Sequence, residues 1–330
     1  MRKLSSPFAA SGNKRRFFIT GGAGFIGSRL LEVLLPEAHV AVFDNLSVGL
    51  PMPAARPGLS TFLGDIRDPE RVEQALREFE PDTLIHLAAL HHIPSCEADP
   101  RLAVEVNVLG LQTVLDACAK QGCKRVLLAS SGAVYAVADQ PLHEDMQLHP
   151  CDVYAGTKLS NEHQLALWAE RTGASGIIAR LFNAIGWGDP NGHLIPEVLR
   201  RMEGAPAGSH IRLAMGNLHT RRDFVDVRDL ATGLAALANH APWPEQRASA
   251  YNLCSGRETA ITDIVNGLAR CLGLTVEIHS DPALRRKVDR PSQWGAPEKT
   301  TETTGWHAAT PLDDSLQEIV TEWQKHKANA

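Results

Sequence analysis

Tyr154 and Lys158 stand four positions apart in the stretch CDVYAGTKLSNEH, within a run that reads as helical, so both side chains fall on one face. An ammonium beside a phenol stabilises the phenolate, and a tyrosine in that state can take the proton of a hydroxyl group while hydride leaves the same carbon. Ser131, in LLASSGAVYA (127–136), follows a predicted strand at the edge where a ligand would lie. Its hydroxyl could bond the same substrate oxygen, or it could satisfy a turn.

Hydride needs an acceptor, and the stretch FFITGGAGFIGSRL (17–30) supplies a place for one. Gly21, Gly24 and Gly27 form G-x-x-G-x-x-G after a strand and at the start of a helix. That arrangement allows a tight turn, close approach of backbone to a pyrophosphate, and free N–H groups aimed at the anion. On this reading side chains are excluded because the pyrophosphate of a dinucleotide lies against residues 21–27. The next strand ends in Asp44, 17 residues beyond Gly27, where a carboxylate can accept hydrogen bonds from ribose hydroxyls and repel a 2′-phosphate, favouring NAD over NADP. Asp65, read as the end of the third strand, is open to two roles, contact with the adenine amine or a turn.

These residues need a scaffold. RRFFIT (15–20), HVAVFD (39–44), STFLGD (60–65), DTLIHLA (82–88), RVLLAS (125–130) and SGIIARLF (175–182) are short aliphatic runs, and PERVEQALREFE (69–80) and RLAVEVNVLGLQTVLDACAK (101–120) have helical apolar periodicity. Strand and helix in alternation predict an α/β fold, a Rossmann-type doubly wound parallel sheet covered on both faces. After residue 182 the rhythm breaks into loops, helices and short strands such as IRLAMG and YNLCS, which predicts a smaller mixed C-terminal lobe at the ligand-binding edge of the sheet. The expected division is a tail over 1–14, a cofactor-binding domain over 15–182 and a substrate lobe over 183–330, part of which returns to the main sheet.

The 330 residues, 44% hydrophobic with a formal net charge of −5, suit a globular protein with no basic field for nucleic acid or an anionic membrane. Cys96, Cys118, Cys123, Cys151, Cys254 and Cys271 include no C-x-x-C pair and no zinc-like spacing, so no metal is expected. They read as reduced thiols in a cytoplasmic protein. Neither a signal-peptide core nor an apolar stretch of membrane-spanning length is read from the chain.

TGGAGFIGS, DNLSVG, HLAA, SSGAVY, YAGTK, RLFNAIG and RRDFVDVRDL occur in the order found in extended short-chain dehydrogenase/reductases, and the chain resembles their nucleotide-sugar epimerase and dehydratase group over roughly residues 15–325. The resemblance implies bound NAD, a catalytic trio of Ser131, Tyr154 and Lys158, a nucleoside-diphosphate sugar as substrate, and a homodimer formed through the helices near 101–120 and 152–172. It further implies cofactor contacts from Phe25, Ile26, Asn45, Ile66, Leu87, Ala88, Ala89, His91 and Asn107, the last with a mainly structural role. Substrate contacts implied in the same way are His92, Asn183, His193, Leu194, Arg222, Arg286, Asp289 and Gln293. Arg222 and Arg286 suit a diphosphate because guanidinium pairs with phosphate oxygens bidentately.

Members of the group share oxidation of a sugar C4 hydroxyl and differ in the later steps. The 4,6-dehydratases and decarboxylases carry acids just after the catalytic Ser/Thr, where this chain has Gly132 and Ala133, which neither donate nor accept a proton. Epimerisation of a UDP-sugar at C4 is therefore the leading expectation, with a dehydratase or 4-ketoreductase as the alternative. GNLHTRRDFVDVRD also resembles a segment of GDP-deoxyhexose reductases. A non-catalytic NAD-binding protein would keep the fold without the trio. His91 could serve nicotinamide ribose or sugar, His92 could shuttle protons, and either could be structural. Trp187 either walls the sugar pocket or packs, and Gln293 lies where the family sets room at the sugar C2 substituent.

Overall fold

The computed structural model describes residues 14–190, 194–284 and 290–328. Seven runs pair in parallel as one sheet: β1 (Arg16–Thr20), β2 (His39–Asp44), β3 (Leu59–Leu63), β4 (Thr83–His86), β5 (Arg125–Ser131), β6 (Ser175–Leu181) and β11 (Ala248–Leu253). Their order across the sheet is β3-β2-β1-β4-β5-β6-β11. The chain reverses direction of travel between β3 and β4, so the C-terminal ends of β1 and β4 flank a crevice. Phe17, Phe18, Ile19, Leu84, Ile85, Val126, Leu127 and Leu128 are all buried, as expected of strands covered on both faces.

One face is covered by α1 (Phe25–Leu34) and α8 (Val227–His240), the other by α2 (Pro69–Phe79), α5 (Gly110–Gln121) and α6 (Val153–Thr172). Three of these helices, α2, α6 and α8, start at a capping aspartate. Asp68 caps α2 by accepting from the N–H groups of Glu70 and Arg71, and Asp152 caps α6 by accepting from Ala155 N. Between β4 and α5 come α3 (Ile93–Ala98), α4 (Pro100–Val104) and a π-turn over Glu105–Leu109. The predicted helix over 101–120 is thus a continuous run over 100–121 with one widened turn, long and apolar enough by composition to cross a membrane. Leu111, Val114, Leu115 and Cys118 of that run are buried against α2 and the sheet.

The later part builds a third core from α7 (Leu194–Met202), α9 (Ile261–Cys271) and α11 (Leu312–Ala328), with a parallel pair formed by β8 (His210–Met215) and β13 (Thr275–Ser280). Three very short pairings tie this part to the sheet edge. β7 (Asn183–Ile185) pairs with β10 (Phe224–Asp226), and β9 (Arg221–Arg222) lies between β12 (Thr259–Ala260) and β14 (Ser292–Gln293). A helix, α10 (Glu298–Thr304), follows. The YNLCS strand, read from sequence beside the lobe, is the end of β11 in the main sheet, and β3 stops at Leu63, short of Asp65.

Candidate active site

The glycine turn joins β1 to α1. Gly21 has φ +71° and a Cβ there would stand 2.7 Å from Ala88 N, while a Cβ on Gly27 would stand 2.3 Å from Gly21 O. At these two positions the excluding atoms belong to the protein itself, as a tight turn and close helix packing require, and they act beside any ligand. Gly24 is the N-cap of α1 with no side-chain cap, and no acid lies in the first turn, so the N–H groups after it face the crevice without a protein carboxylate. Phe25 and Ile26 are half-buried in that turn.

Asp44 ends β2 with 8% of its surface exposed; its Oδ2 accepts from Ala23 N at 3.0 Å and its Oδ1 from Leu46 N at 2.8 Å. Each carboxylate oxygen keeps acceptor capacity for a ribose hydroxyl. Leu46 takes a left-handed φ of 57° to make its bond. Glycine turn, uncapped helix start and fixed acid together fit an NAD molecule laid across β1 and β2.

Other expected cofactor contacts are differently employed. The Asp65 carboxylate accepts from Arg67 N, Nε and Nη2 and from Asn45 Nδ2, and the Arg67 guanidinium holds it well below the usual carboxylate range. An adenine amine would share the carboxylate with those four donors. Ile66 is buried against Gly110, under the α5 start. Asn107, in the π-turn, accepts from Leu90 N and donates to Leu90 O and to Thr157 Oγ1, whose hydroxyl donates to Tyr154 O. Its role is to lock the loop carrying Leu87, Ala88 and Ala89 onto α6. The exposed His91 lies in that loop, and the His92 ring meets Ser95 Oγ at 2.8 Å at the start of α3.

Ser131, Tyr154 and Lys158 come together at the C-terminal end of β5. Ser131 Oγ accepts from Ala133 N at 3.1 Å and stands beside the Tyr154 phenol, where it favours the phenolate. Lys158 Nζ lies 5.9 Å from the Tyr154 ring centre and donates to Ala129 O at 2.9 Å. Burial pushes the phenol up to about 12, opposed by the Ser131 hydroxyl, and pushes the ammonium down to about 8. A second charge pair lies behind: Glu162, one turn past Lys158, pairs with Arg180 at 2.8 Å and accepts from Ser130 Oγ.

His86, inside the HLAA motif, was not singled out from the sequence. It is fully buried at the end of β4, 2.8 Å from Thr20 Oγ1, and burial, with the Lys158 charge second, lowers its pKa to about 3. The only sequence signal is a titratable residue inside an otherwise apolar strand. The unfolded chain binds a proton below about pH 6.5 that the folded chain refuses until about pH 3, so stability contributed by neutral His86 is present above 6.5 and falls below it. His86→Gln is expected to lose about 2 kcal/mol less than wild type between pH 6.5 and 5. Urea unfolding at the two pH values measures this, and equal losses would contradict it.

The expected substrate residues divide. Asn183 Nδ2 donates to Asp223 O, and Arg222 Nη1 donates to the carbonyls of Arg221 and Arg290, placing both residues at the β7, β9 and β10 pairings. Gln293 is 9% exposed and its amide donates to Gly132 O at 2.6 Å, so it braces the loop after Ser131 instead of standing open to a sugar. Leu194 opens α7, half-buried. His193, Arg286 and Asp289 lie outside the described residues. Trp187 packs near His326, with ring centres 5.9 Å apart, and its carbonyl accepts from Arg29.

A parallel doubly wound sheet with a dinucleotide turn and a Ser-Tyr-Lys group at β5 and α6 defines a nicotinamide-dependent enzyme of the extended short-chain type. The chain belongs to the NAD dependent epimerase/dehydratase family, whose model matches residues 17–254. It is 30% identical over 315 residues to a GDP-6-deoxy-D-mannose reductase of Pseudomonas aeruginosa, covering 94% of this chain and 97% of that one. In structure it resembles the UDP-glucose 4-epimerase of Thermus thermophilus solved with NAD, at a TM-score of 0.82 and 29% identity, covering 94% and 99% of the two chains. It also resembles RMD from Pseudomonas aeruginosa solved with NADPH, at a TM-score of 0.77 and 29% identity, again covering 94% and 99%. NAD-dependent nucleotide-sugar chemistry of the epimerase or reductase kind follows.

Proposed function

We propose that the chain epimerises a nucleoside-diphosphate sugar at C4 through a transient 4-keto sugar, with a UDP-sugar as the favoured donor. The observation that carries this reading is what surrounds the trio. A Cβ on Gly132 would stand 3.0 Å from the Phe182 ring, and Ala133 offers only a methyl group, so no acid adjoins Ser131 to eliminate water or assist decarboxylation. Ser131 Oγ and the Tyr154 phenol hold the C4 oxygen. Tyr154 takes its proton on oxidation and returns it on reduction, and the Lys158 ammonium stabilises the phenolate between the two steps. NAD, held by the glycine turn over 21–27 and by Asp44, would supply a reversible hydride acceptor for C4. Arg222 and Asn183 would hold the diphosphate at the lobe side of the crevice.

Asp44 supports NAD over NADP, because a buried-edge carboxylate opposes a 2′-phosphate. Asp44→Ser is expected to weaken NAD binding about tenfold, the loss of a charge-assisted hydrogen bond, and to narrow the preference against NADP. Titration of cofactor-stripped protein with both dinucleotides measures this; an unchanged preference would contradict it.

A 4-ketoreductase is the second reading, favoured by similarity to the Pseudomonas reductase and by the likeness of GNLHTRRDFVDVRD to a segment of GDP-deoxyhexose reductases. Homodimerisation through the continuous run over 100–121 and α6 is supported by Val104 and Leu109 of that run and Leu167 of α6, which are 43%, 56% and 58% exposed. A cytoplasmic site of action is supported by six unpaired thiols. Proton NMR of the protein with UDP-, GDP-, dTDP- and CDP-sugars, without added cofactor, tests the function. A new anomeric signal with C4-epimer couplings supports it, and turnover of a keto sugar only on addition of reduced cofactor selects the reductase.

A further inference from the structure

Arg290 lies just before β14, next to the positions that family resemblance singles out, yet neither spacing nor resemblance assigns it. It is 7% exposed, and its guanidinium reaches into the main domain. Nη2 donates to Ala133 O at 2.6 Å, Nη1 to Tyr135 O at 3.0 Å, and Nε to Cys151 Sγ at 3.1 Å. Ala133 and Tyr135 belong to the loop that follows Ser131, while Cys151 directly precedes Asp152, the N-cap of the helix that carries Tyr154. One rigid fork therefore spans the two segments that present the catalytic hydroxyls. Gln293, three residues on, takes Gly132 O in the same loop.

The other end of the connection is the lobe. Arg290 O accepts from Arg222 Nη1, Arg221 N donates to Pro291 O, and Asp223 N donates to Gln293 O, so β14 is zipped onto the strand that carries Arg222.

We propose that Arg290 is a positioning residue that sets Ser131 against Tyr154 and holds both in register with the lobe strand bearing Arg222. This deepens the epimerase reading and rests on it only for the kinetic part of the test. A lysine cannot replace the planar fork, because its single ammonium cannot reach two loop carbonyls and the thiol of a different segment together. Loosening the loop shifts Ser131 relative to the Tyr154 oxygen, beside which its hydroxyl favours the phenolate. The other groups that bear on Tyr154 are Cys96 of α3, Asp152 at the start of α6 and Lys158, and all remain in an Arg290 variant.

The test is ultraviolet difference titration of phenolate in NAD-loaded wild type, Arg290→Met and Arg290→Lys. The chain has three tyrosines, so the Tyr154 signal is the one lost in Tyr154→Phe. Both Arg290 variants are expected to titrate Tyr154 higher, by about one pH unit in Arg290→Met. With the responding nucleotide sugar, kcat should fall about tenfold or more while KM stays within about threefold. An unchanged titration in both variants overturns the proposal. So does a raised KM at unchanged kcat, which would make Arg290 a substrate anchor. Full wild-type behaviour in Arg290→Lys would assign the effect to charge and overturn positioning as well. Should Arg290→Met not fold, Arg290→Lys is read by the same criteria. A wild type that turns over no nucleotide sugar would remove the epimerase reading and leave the titration decisive for Arg290.

Discussion

Tyr154→Phe is expected to bind NAD as wild type does and to lose turnover by roughly 10²- to 10⁴-fold, the contribution of a positioned general base. The ring keeps its place on α6, and only the oxygen beside Ser131 is removed. Burial holds the phenol near 12 in the protein alone, far above neutral pH. Catalysis therefore depends on cations that favour the phenolate: the Lys158 ammonium and the oxidised nicotinamide ring. A base works deprotonated, so kcat should fall as pH drops through the Tyr154 pKa. Lys158, lowered by burial to about 8, is still charged at neutral pH and loses its charge above that value. Stopped assays across pH, with NAD content read after acid denaturation, check both statements. Wild-type turnover in Tyr154→Phe would remove Tyr154 as the base.

Arg180→Met should cost about 3–5 kcal/mol of stability, because it strands a buried carboxylate. The Arg180 and Glu162 side chains are 5% and 4% exposed and meet through Nη2–Oε2 at 2.8 Å and Nε–Oε1 at 3.0 Å. Arg180 also donates to Glu144 O and lies over the Tyr135 ring, with its guanidinium carbon 4.7 Å from the ring centre. Without the guanidinium, Glu162 retains Ser130 as a donor but no countercharge on that side. The double variant Arg180→Met, Glu162→Met removes both charges and should recover much of the loss, which separates a stranded charge from lost packing. Chemical denaturation of the set measures it. A single-variant loss below about 1 kcal/mol would show that the pair contributes no more than a surface bridge.

Six of the seven strands of the main sheet were readable from sequence because each carries its own local signal, whereas β11 joins the sheet through long-range pairing with β6. HVAVFD is β2 residue for residue, and PERVEQALREFE ends one residue past α2. Asp44, Ser131, Tyr154 and Lys158 could be placed because a strand end or a helical spacing fixes them locally. What escaped depends on long-range contacts. Arg290 meets Ala133 across 157 positions and Gln293 meets Gly132 across 161, and the two-residue strands that bring them there are too short for any periodicity. At Asp65 the sequence left two roles open, and the hold of Arg67, two residues on, is a side-chain pairing that no spacing announces. Asn107 sits in a π-turn that a steady helical pattern does not reveal, since one widened turn leaves the apolar spacing on either side intact.

The central claim is an internal redox cycle at one carbon. The measurement that tests it most directly follows a nucleotide sugar carrying deuterium at C4 through turnover by purified protein with no added cofactor. The account predicts a C4 epimer that keeps its deuterium at C4, with none exchanged into solvent. Product lacking the label at C4, or reaction only in the presence of added NADPH, would contradict it.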